Sequence, residues 1–412
     1  MPSGNPCVIN GDSMKGFGPG FLVTAAFIGP GSIATASVAG ANFGFVLLWA
    51  LLFSLIATIV LQEMAARLGL VSGSGLSQAL RSTFSSPIIS RCAVVLVVSA
   101  IGVGNAAYEA GNISGAALGL ATITPLPAAW CALVIGTLSA LLLGTGGYKI
   151  LEPVLIILVL TMSSVFMVTM VLVDVDYGAL FRGLVTPQIP EGSARTIIAL
   201  IGTTVVPYNL FLHANAVQEK WRGVALETAL AQSRKDTMVS IGLGGLITLA
   251  VMSTAAVAFF QTDNTFSAQS LATQLEPVLG SGANYFFALG LVAAGLTSAI
   301  TAPLAAAYAV SGALGWPCDF TDRRFRGIWL TVLTTGTLFA AVGTKPIAAI
   351  LFAQAANGLL LPIIAVFLLI IMNRGDLLGD HRNKWTANII GGAVVTTVAA
   401  LGVFNIAKIF LP

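Results

Sequence analysis

A chain of 412 residues that is 57% hydrophobic and only 8% charged, with mean hydropathy +0.94, is too apolar for a water-soluble globule, in which about 25% of residues are charged, and is expected in a bilayer. The net charge of +3 comes from dispersed basic residues with no aromatic-flanked patch, which excludes nucleic acid as a partner. Four widely separated cysteines (Cys7, Cys92, Cys131, Cys318) and two histidines exclude a zinc site and a disulfide framework, so no cofactor or resident metal is expected.

With roughly 20 apolar residues per crossing, the pattern predicts eleven spans, near 17–42, 44–68, 91–120, 126–145, 150–173, 195–217, 236–261, 283–314, 327–345, 347–372 and 386–410. Placing the amino terminus in the cytoplasm leaves only Arg182, Arg195, Lys345 and Lys408 of the 19 basic residues outside. The positive-inside rule therefore predicts amino terminus in and carboxyl terminus out. The expected location is a bacterial inner (plasma) membrane. The chain divides into a cytoplasmic tail (1–16), a first five-span block (17–173), an outer connection (174–194), a second five-span block (195–372), and a connection with an eleventh span (373–412).

Span 1 contains Gly29-Pro30-Gly31-Ser32, two glycines and a proline at mid-depth with no charge beside them. In span 2, Glu63 precedes Arg67 by four residues, a spacing that suits an ion pair along one helix face. Span 3 carries Asn105, Glu109 and Asn112 on one face at 100° per residue, with Gly111 and Gly115 on the far side. A deep carboxyl group is expensive in hydrocarbon unless it is protonated or faces a polar cavity, so Glu109 and Asn112 are read as a cavity-lining proton or cation site. Glu152, three residues after Lys149, opens span 5 as a second structural pair.

Span 6 repeats the feature of span 1. In Thr203-Thr204-Val205-Val206-Pro207-Tyr208-Asn209, a proline interrupts an apolar helix among polar groups, and His213 follows. Proline removes a main-chain donor, and the freed carbonyls are tolerable where they line an enclosed or watered cavity. Two such breaks, one opening each five-span block, are the pattern of an inverted-repeat transporter whose discontinuous helices meet around the cargo near mid-membrane. After span 6, the "LETALAQSRKD" segment beginning at Leu226 reads as a short amphipathic helix on the inner surface, separate from span 7.

Several segments, in order along nearly the whole chain, resemble the Nramp family of divalent-metal transporters: "GPGFLVTAAFIGPGSIAT", "LQEMAARLGLVSG", "VVPYNLFLHANAVQ", "AAGLTSAIT", "FAQAANGLLLP" and "LLGDHRNKW". The resemblance implies a LeuT-type fold, all-α, with two inverted five-helix repeats plus one helix, and helices 1 and 6 discontinuous. It implies a substrate site at Gly29, Pro30, Gly31, Ser32, Thr203, Thr204, Val206, Pro207, Tyr208, Asn209 and Gln354, with Glu109, Asn112 and His213 as proton-coupling or cation-binding candidates. The family's metal-ligand motifs differ here. Its first-helix Asp and Asn are Gly29 and Ser32, its sixth-helix Met is Val206 with Tyr208 in place of a histidine, and the last acid of its third-helix motif is Asn112. Thr203 stands where a family carbonyl ligand comes from a small residue.

A thioether favours softer transition metals, and carboxylates offset the dehydration of a dication. With both absent, the chain is expected to carry a small organic solute, neutral or cationic, or magnesium that keeps its water. The alternative is proton-coupled transport of manganese or iron, since main-chain carbonyls can replace side-chain ligands. An alternative of another class is a non-transporting receptor or sensor with the same fold. No nucleophile–base pair or metal-ligand cluster at suitable spacing points to an enzyme. The expected partners are a small-molecule or ion substrate, protons as coupling ion, and the lipid bilayer.

Overall fold

In hydrocarbon a chain must satisfy its main-chain N–H and C=O groups internally, and this span pattern leaves helices as the means. The computed structural model describes residues 18–83, 86–145, 148–262, 267, 269–317, 321–342 and 346–410. The tail expected over 1–16 and the side chains of Lys149 and Glu152 lie outside the described set. In chain order the helices are α1 (Pro19–Phe27), α2 (Pro30–Phe43), α3 (Leu48–Ser72), α4 (Leu76–Thr83), α5 (Pro87–Ile123), α6 (Ala128–Thr145), α7 (Tyr148–Leu172), α8 (Tyr177–Val185) and α9 (Ala194–Thr204). They continue with α10 (Pro207–Lys220), α11 (Leu226–Phe259), α12 (Glu276–Leu279), α13 (Ala283–Leu314), α14 (Arg323–Val342), α15 (Pro346–Met372), α16 (Gly375–Leu378) and α17 (Trp385–Phe410).

Proline opens α1, α2, α5 and α10, where its missing N–H would have had no helical partner. Gly73 (φ 61°) and Gly315 (φ 70°) end α3 and α13 in the left-handed conformation that favours glycine. Large apolar side chains such as Val171, Val342 and Phe352 face outward as well as filling the core, and alanine and glycine give some of the closest helix contacts. Thus Gly295 of α13 lies against Ala116 and the Asn112 carbonyl of α5, and Gly119 of α5 lies against the Ala288 carbonyl of α13. With lipid outside, such close backbone approach supplies contacts that hydrophobic exclusion from water cannot.

Eight helical runs among the described residues are long and apolar enough to cross a bilayer, and they coincide with expected spans 2–4 and 6–10. The eleven-span count is not reached on that measure. Span 1 is divided into 9- and 14-residue pieces, α7 turns by 117° into α8, and the described apolar part of α17 is short, Trp385–Ala400. The separate inner-surface helix is corrected too. Leu226–Phe259 is a single 34-residue helix, because no glycine or proline stands near residue 236 to end it.

The Glu63–Arg67 pair forms, and it is part of a larger tie. Arg67 donates to both Glu63 oxygens at 3.1 Å, to the His381 carbonyl at 2.6 Å and to Asn383 Oδ1 at 2.8 Å, while Arg234 of α11 reaches Glu63 at 3.0 Å. One buried guanidinium therefore joins α3 to the segment before α17. Arg67→Leu is expected to lower stability by about 3 kcal/mol. Arg234→Ala, removing a side chain that is 56% exposed, should change it by less than about 1 kcal/mol. Thermal midpoints in detergent measure both, and equal midpoints for the two variants would contradict the assignment.

Candidate functional site

The two breaks have nearly the same local geometry. Ile28 (φ −78°, ψ 76°) and Gly29 separate α1 from α2, and Val205 (φ −93°, ψ 74°) and Val206 separate α9 from α10. Gly29 and Val206 are extended, and proline follows each. In a continuous helix the N–H of residue 30 would serve the Ala26 carbonyl and that of residue 207 the Thr203 carbonyl. Proline can supply neither. The Ala26 carbonyl is served instead from α5, by the Tyr108 hydroxyl at 3.1 Å.

The breaks are joined to each other. Ser32 Oγ donates to the Phe27 carbonyl and lies 2.9 Å from Thr203 Oγ1. Both hydroxyls are therefore occupied in bridging α2 to α9, and Thr204 Oγ1 is turned back to the Leu200 carbonyl at 3.0 Å. Asn209 donates through Nδ2 to the Val23 carbonyl at 3.4 Å, and its Oδ1 has no hydrogen-bond partner. The ring of Tyr208 meets that of Tyr108 edge-to-face, 5.5 Å between centroids. Val206 contributes its carbonyl, which accepts the Asn209 N–H at 3.1 Å.

Two further spans reach this place because Gly29 and Gly31 lack side chains. A Cβ at Gly31 would collide with the Gln354 amide, and one at Gly29 would lie 2.9 Å from Ser298 Oγ. Gln354 is fully buried with neither Nε2 nor Oε1 hydrogen-bonded, and the Ser298 hydroxyl is likewise buried without a partner. The expected site residues Gly29–Ser32, Thr203–Asn209 and Gln354 are thus brought together. Tyr108 and Ser298 were missed by sequence reasoning. Tyr108 follows from the orphaned Ala26 carbonyl only once the helices are placed, and Ser298 lies in the "AAGLTSAIT" segment without any spacing that marks it as a site residue.

Glu109, Asn112 and His213 make no side-chain hydrogen bond to the break residues. The glycine stripe of α5, expected to face away, is the face that approaches them. Gly115 abuts Pro30, and Gly111 abuts Ala353 beside Gln354. Glu109 instead packs on Gly336 of α14. Asn112 Nδ2 reaches Glu109 Oε2 at 3.4 Å, and Glu109 Oε1, Asn105 Oδ1 and Asn112 Oδ1 have no partner. His213 Nδ1 is 3.0 Å from Gln62 Oε1 on α3, leaving Nε2 unpartnered. Among the described residues no group of three or more His, Cys, Asp or Glu could hold a metal ion. What converges on the breaks is a set of neutral hydroxyl, amide and carbonyl oxygens beside two aromatic rings. An apolar cleft of ≈ 240 Å³ between α1, α7, α11 and α13 flanks the first break, touching Ile28 and Thr297.

The family model described as natural resistance-associated macrophage protein-like, Nramp, matches residues 20–408. A divalent metal cation transporter MntH of Yersinia pestis is 28% identical over 392 residues, covering 94% of this chain and 93% of that protein. One from Klebsiella pneumoniae is 29% identical over 390 residues, covering 93% and 92%. The crystal structure of the Eremococcus coleocola manganese transporter superposes with TM-score 0.73 at 21% identity, covering 95% of this chain and 86% of that one. Mhp1, a nucleobase-cation-symport-1 family transporter, superposes with TM-score 0.58 at 13% identity, covering 99% and 96%. The fold is the LeuT type with helices 1 and 6 discontinuous. These relatives overturn the expectation of an organic solute or hydrated magnesium. That expectation gave the missing carboxylate and thioether more weight than the main-chain oxygens that the breaks expose.

Proposed function

Because this chain belongs to the Nramp family, a family of membrane transporters, we propose that it carries a divalent metal cation, manganese or iron, through the bilayer by alternating access at the two helix breaks. The observation that carries this reading is the geometry of the breaks. The carboxyl ends of α1 and α9 turn toward them, and a half-helix end of that polarity attracts cations. The Thr203 carbonyl, deprived of its helical donor by Pro207, and Asn209 Oδ1 and Gln354 Oε1, both unpartnered, are available oxygens. Oxygen donors alone suit manganese better than softer metals.

The matching dihedrals at the two breaks support an inverted repeat over 17–173 and 195–372, with 174–194 connecting the halves and 373–412 outside it. The charge asymmetry supports a plasma-membrane protein with its amino terminus inside. In that orientation the inner end of α1 is held by Asp236 of α11, which accepts the Gly20 N–H at 2.6 Å. On the outer side Gln274 closes over α2 and α11 through Ser37 at 3.0 Å and Thr254 at 3.3 Å. Releasing one contact set and keeping the other exposes the breaks to one side at a time. Glu109 and His213 serve as proton-path groups, Glu109 facing α14 and His213 facing α3.

The test is manganese entry into proteoliposomes, read by quenching of an enclosed indicator, with protein-free vesicles as control. Saturable entry that acidifies the lumen is expected. No entry from protein that elutes as a single folded species would overturn the reading, and entry without acidification would remove the proton-path roles alone.

A further inference from the structure

We infer that Ser298 is a cargo ligand supplied by α13, occupying the place that Gly29 leaves open beside the first break. The inference rests on the proposed transport of a divalent cation and adds a fifth helix, and a hydroxyl oxygen, to the site.

The argument begins with how hydroxyls behave on this helix. A serine or threonine inside a helix ordinarily bonds the carbonyl four residues back. Thr297 does so to Ala293 at 2.8 Å, and Thr301 does so to Thr297 at 2.8 Å. Ser298, between them and 1% exposed, has no such bond, and its Oγ is without any partner. A buried hydroxyl with a helical carbonyl within reach and no bond to it is held in an unfavourable state. That state is relieved when a cation accepts the oxygen lone pairs.

Its direction is specified. A Cβ built on Gly29 would have Ser298 Oγ as its nearest neighbour at 2.9 Å and Ser298 Cβ at 3.9 Å, with no third heavy atom within 4 Å. The hydroxyl therefore points into the volume that any other residue at 29 would fill. Gln354 approaches Gly31 from α15 in the same way. The two glycines of the break admit one polar side chain each, from two different helices, and both arrive with their hydrogen bonds unmade. One orphaned polar group could be accidental packing. Two, on either side of Pro30, form the walls of a site whose donors are oxygens.

The chemistry gives a selectivity test. A hydroxyl is a hard ligand and a thiol a soft one, so exchanging the atom at this position should change which metal is preferred. Ser298→Ala is expected to raise KM for manganese entry about tenfold with little change in maximal rate. Ser298→Cys is expected to raise the ratio of cadmium to manganese entry about tenfold over the wild type, which alanine does not do. A packing role would not raise that ratio for cysteine while leaving it unchanged for alanine. Both proteins are checked for single-species elution before reconstitution, and manganese binding to purified protein in detergent gives a second readout. Wild-type entry with KM and metal ratio unaltered in both variants would overturn the role of Ser298 alone. A wild type that neither binds nor admits manganese or cadmium would overturn the transport reading, and this inference with it.

Discussion

Replacing Gln354 with leucine is expected to slow cargo entry about a hundredfold while making the folded protein more stable than the wild type. Gln354 is fully buried with both amide atoms unpartnered. Each buried unsatisfied polar atom costs about 1–3 kcal/mol, and leucine of similar volume removes both. The thermal midpoint should therefore rise by several degrees. The amide is also the group that α15 sends against Gly31, and on the proposed reading its loss takes an oxygen from the cargo. A fall of about a hundredfold in initial rate, equivalent to about 2.7 kcal/mol, is expected from a site whose donors are few and neutral. The opposition of the two effects is the informative result, because a residue kept for stability cannot give it. Normal entry in Gln354→Leu, measured in the same liposomes, would reduce Gln354 to packing.

The second large effect is structural. Gly202→Val should prevent the protein from being recovered as a folded species. A Cβ at Gly202 would collide with the Gln354 carbonyl and the Gly358 N–H, and one at Gly358 would lie 2.7 Å from the Ile198 carbonyl. The obstacles on both helices are main chain, so no side chain can rotate to make room. Overpacking ordinarily costs about 1–3 kcal/mol, and here neither α9 nor α15 can relax without moving a whole helix. Gly242→Ala is the control. Its Cβ meets nothing within 4 Å, and alanine in a helix interior should be favourable by about 1 kcal/mol. Size-exclusion profiles and thermal midpoints read both, and a monodisperse Gly202→Val protein would show that the contact is not as close as described.

Much of this architecture is legible in the residues. Pro30 and Pro207 mark the breaks because in lipid a missing donor must be answered by something nearby, and the two positions open corresponding blocks. Glu63 and Arg67 announce their pair by spacing alone. What a pattern cannot give is the direction in which a face looks. The 100° arithmetic correctly separates Glu109 from Gly111 and Gly115, but which face meets the break depends on where α2 and α15 settle, and the glycines allow their closest approach. Leu226–Asp236 illustrates a different failure. Its polar composition suggests a separate surface helix, yet composition does not end a helix in the absence of a breaker. Ser298 and Tyr108 were invisible because each matters only through a partner distant in the chain, a side-chain vacancy at Gly29 and an orphaned carbonyl at Ala26. The cargo was misjudged because the missing carboxylate and thioether were given more weight than the carbonyls that the two prolines free.

The side chains gathered at the breaks are hydroxyls, amides and rings, without formal charge. Loaded with a divalent ion, the site carries two positive charges into the membrane field, and unloaded it carries none. Each elementary charge crossing 100 mV gains about 2.3 kcal/mol, so an interior-negative potential favours inward movement of the loaded form by about 4.6 kcal/mol, more than three decades of accumulation. The empty break residues add no charge to the return step, so only the protonation of Glu109 and His213 couples that step to the field. A voltage applied to such a carrier would speed entry until the empty return step limits the cycle, and the current would then saturate at a level set by the protein.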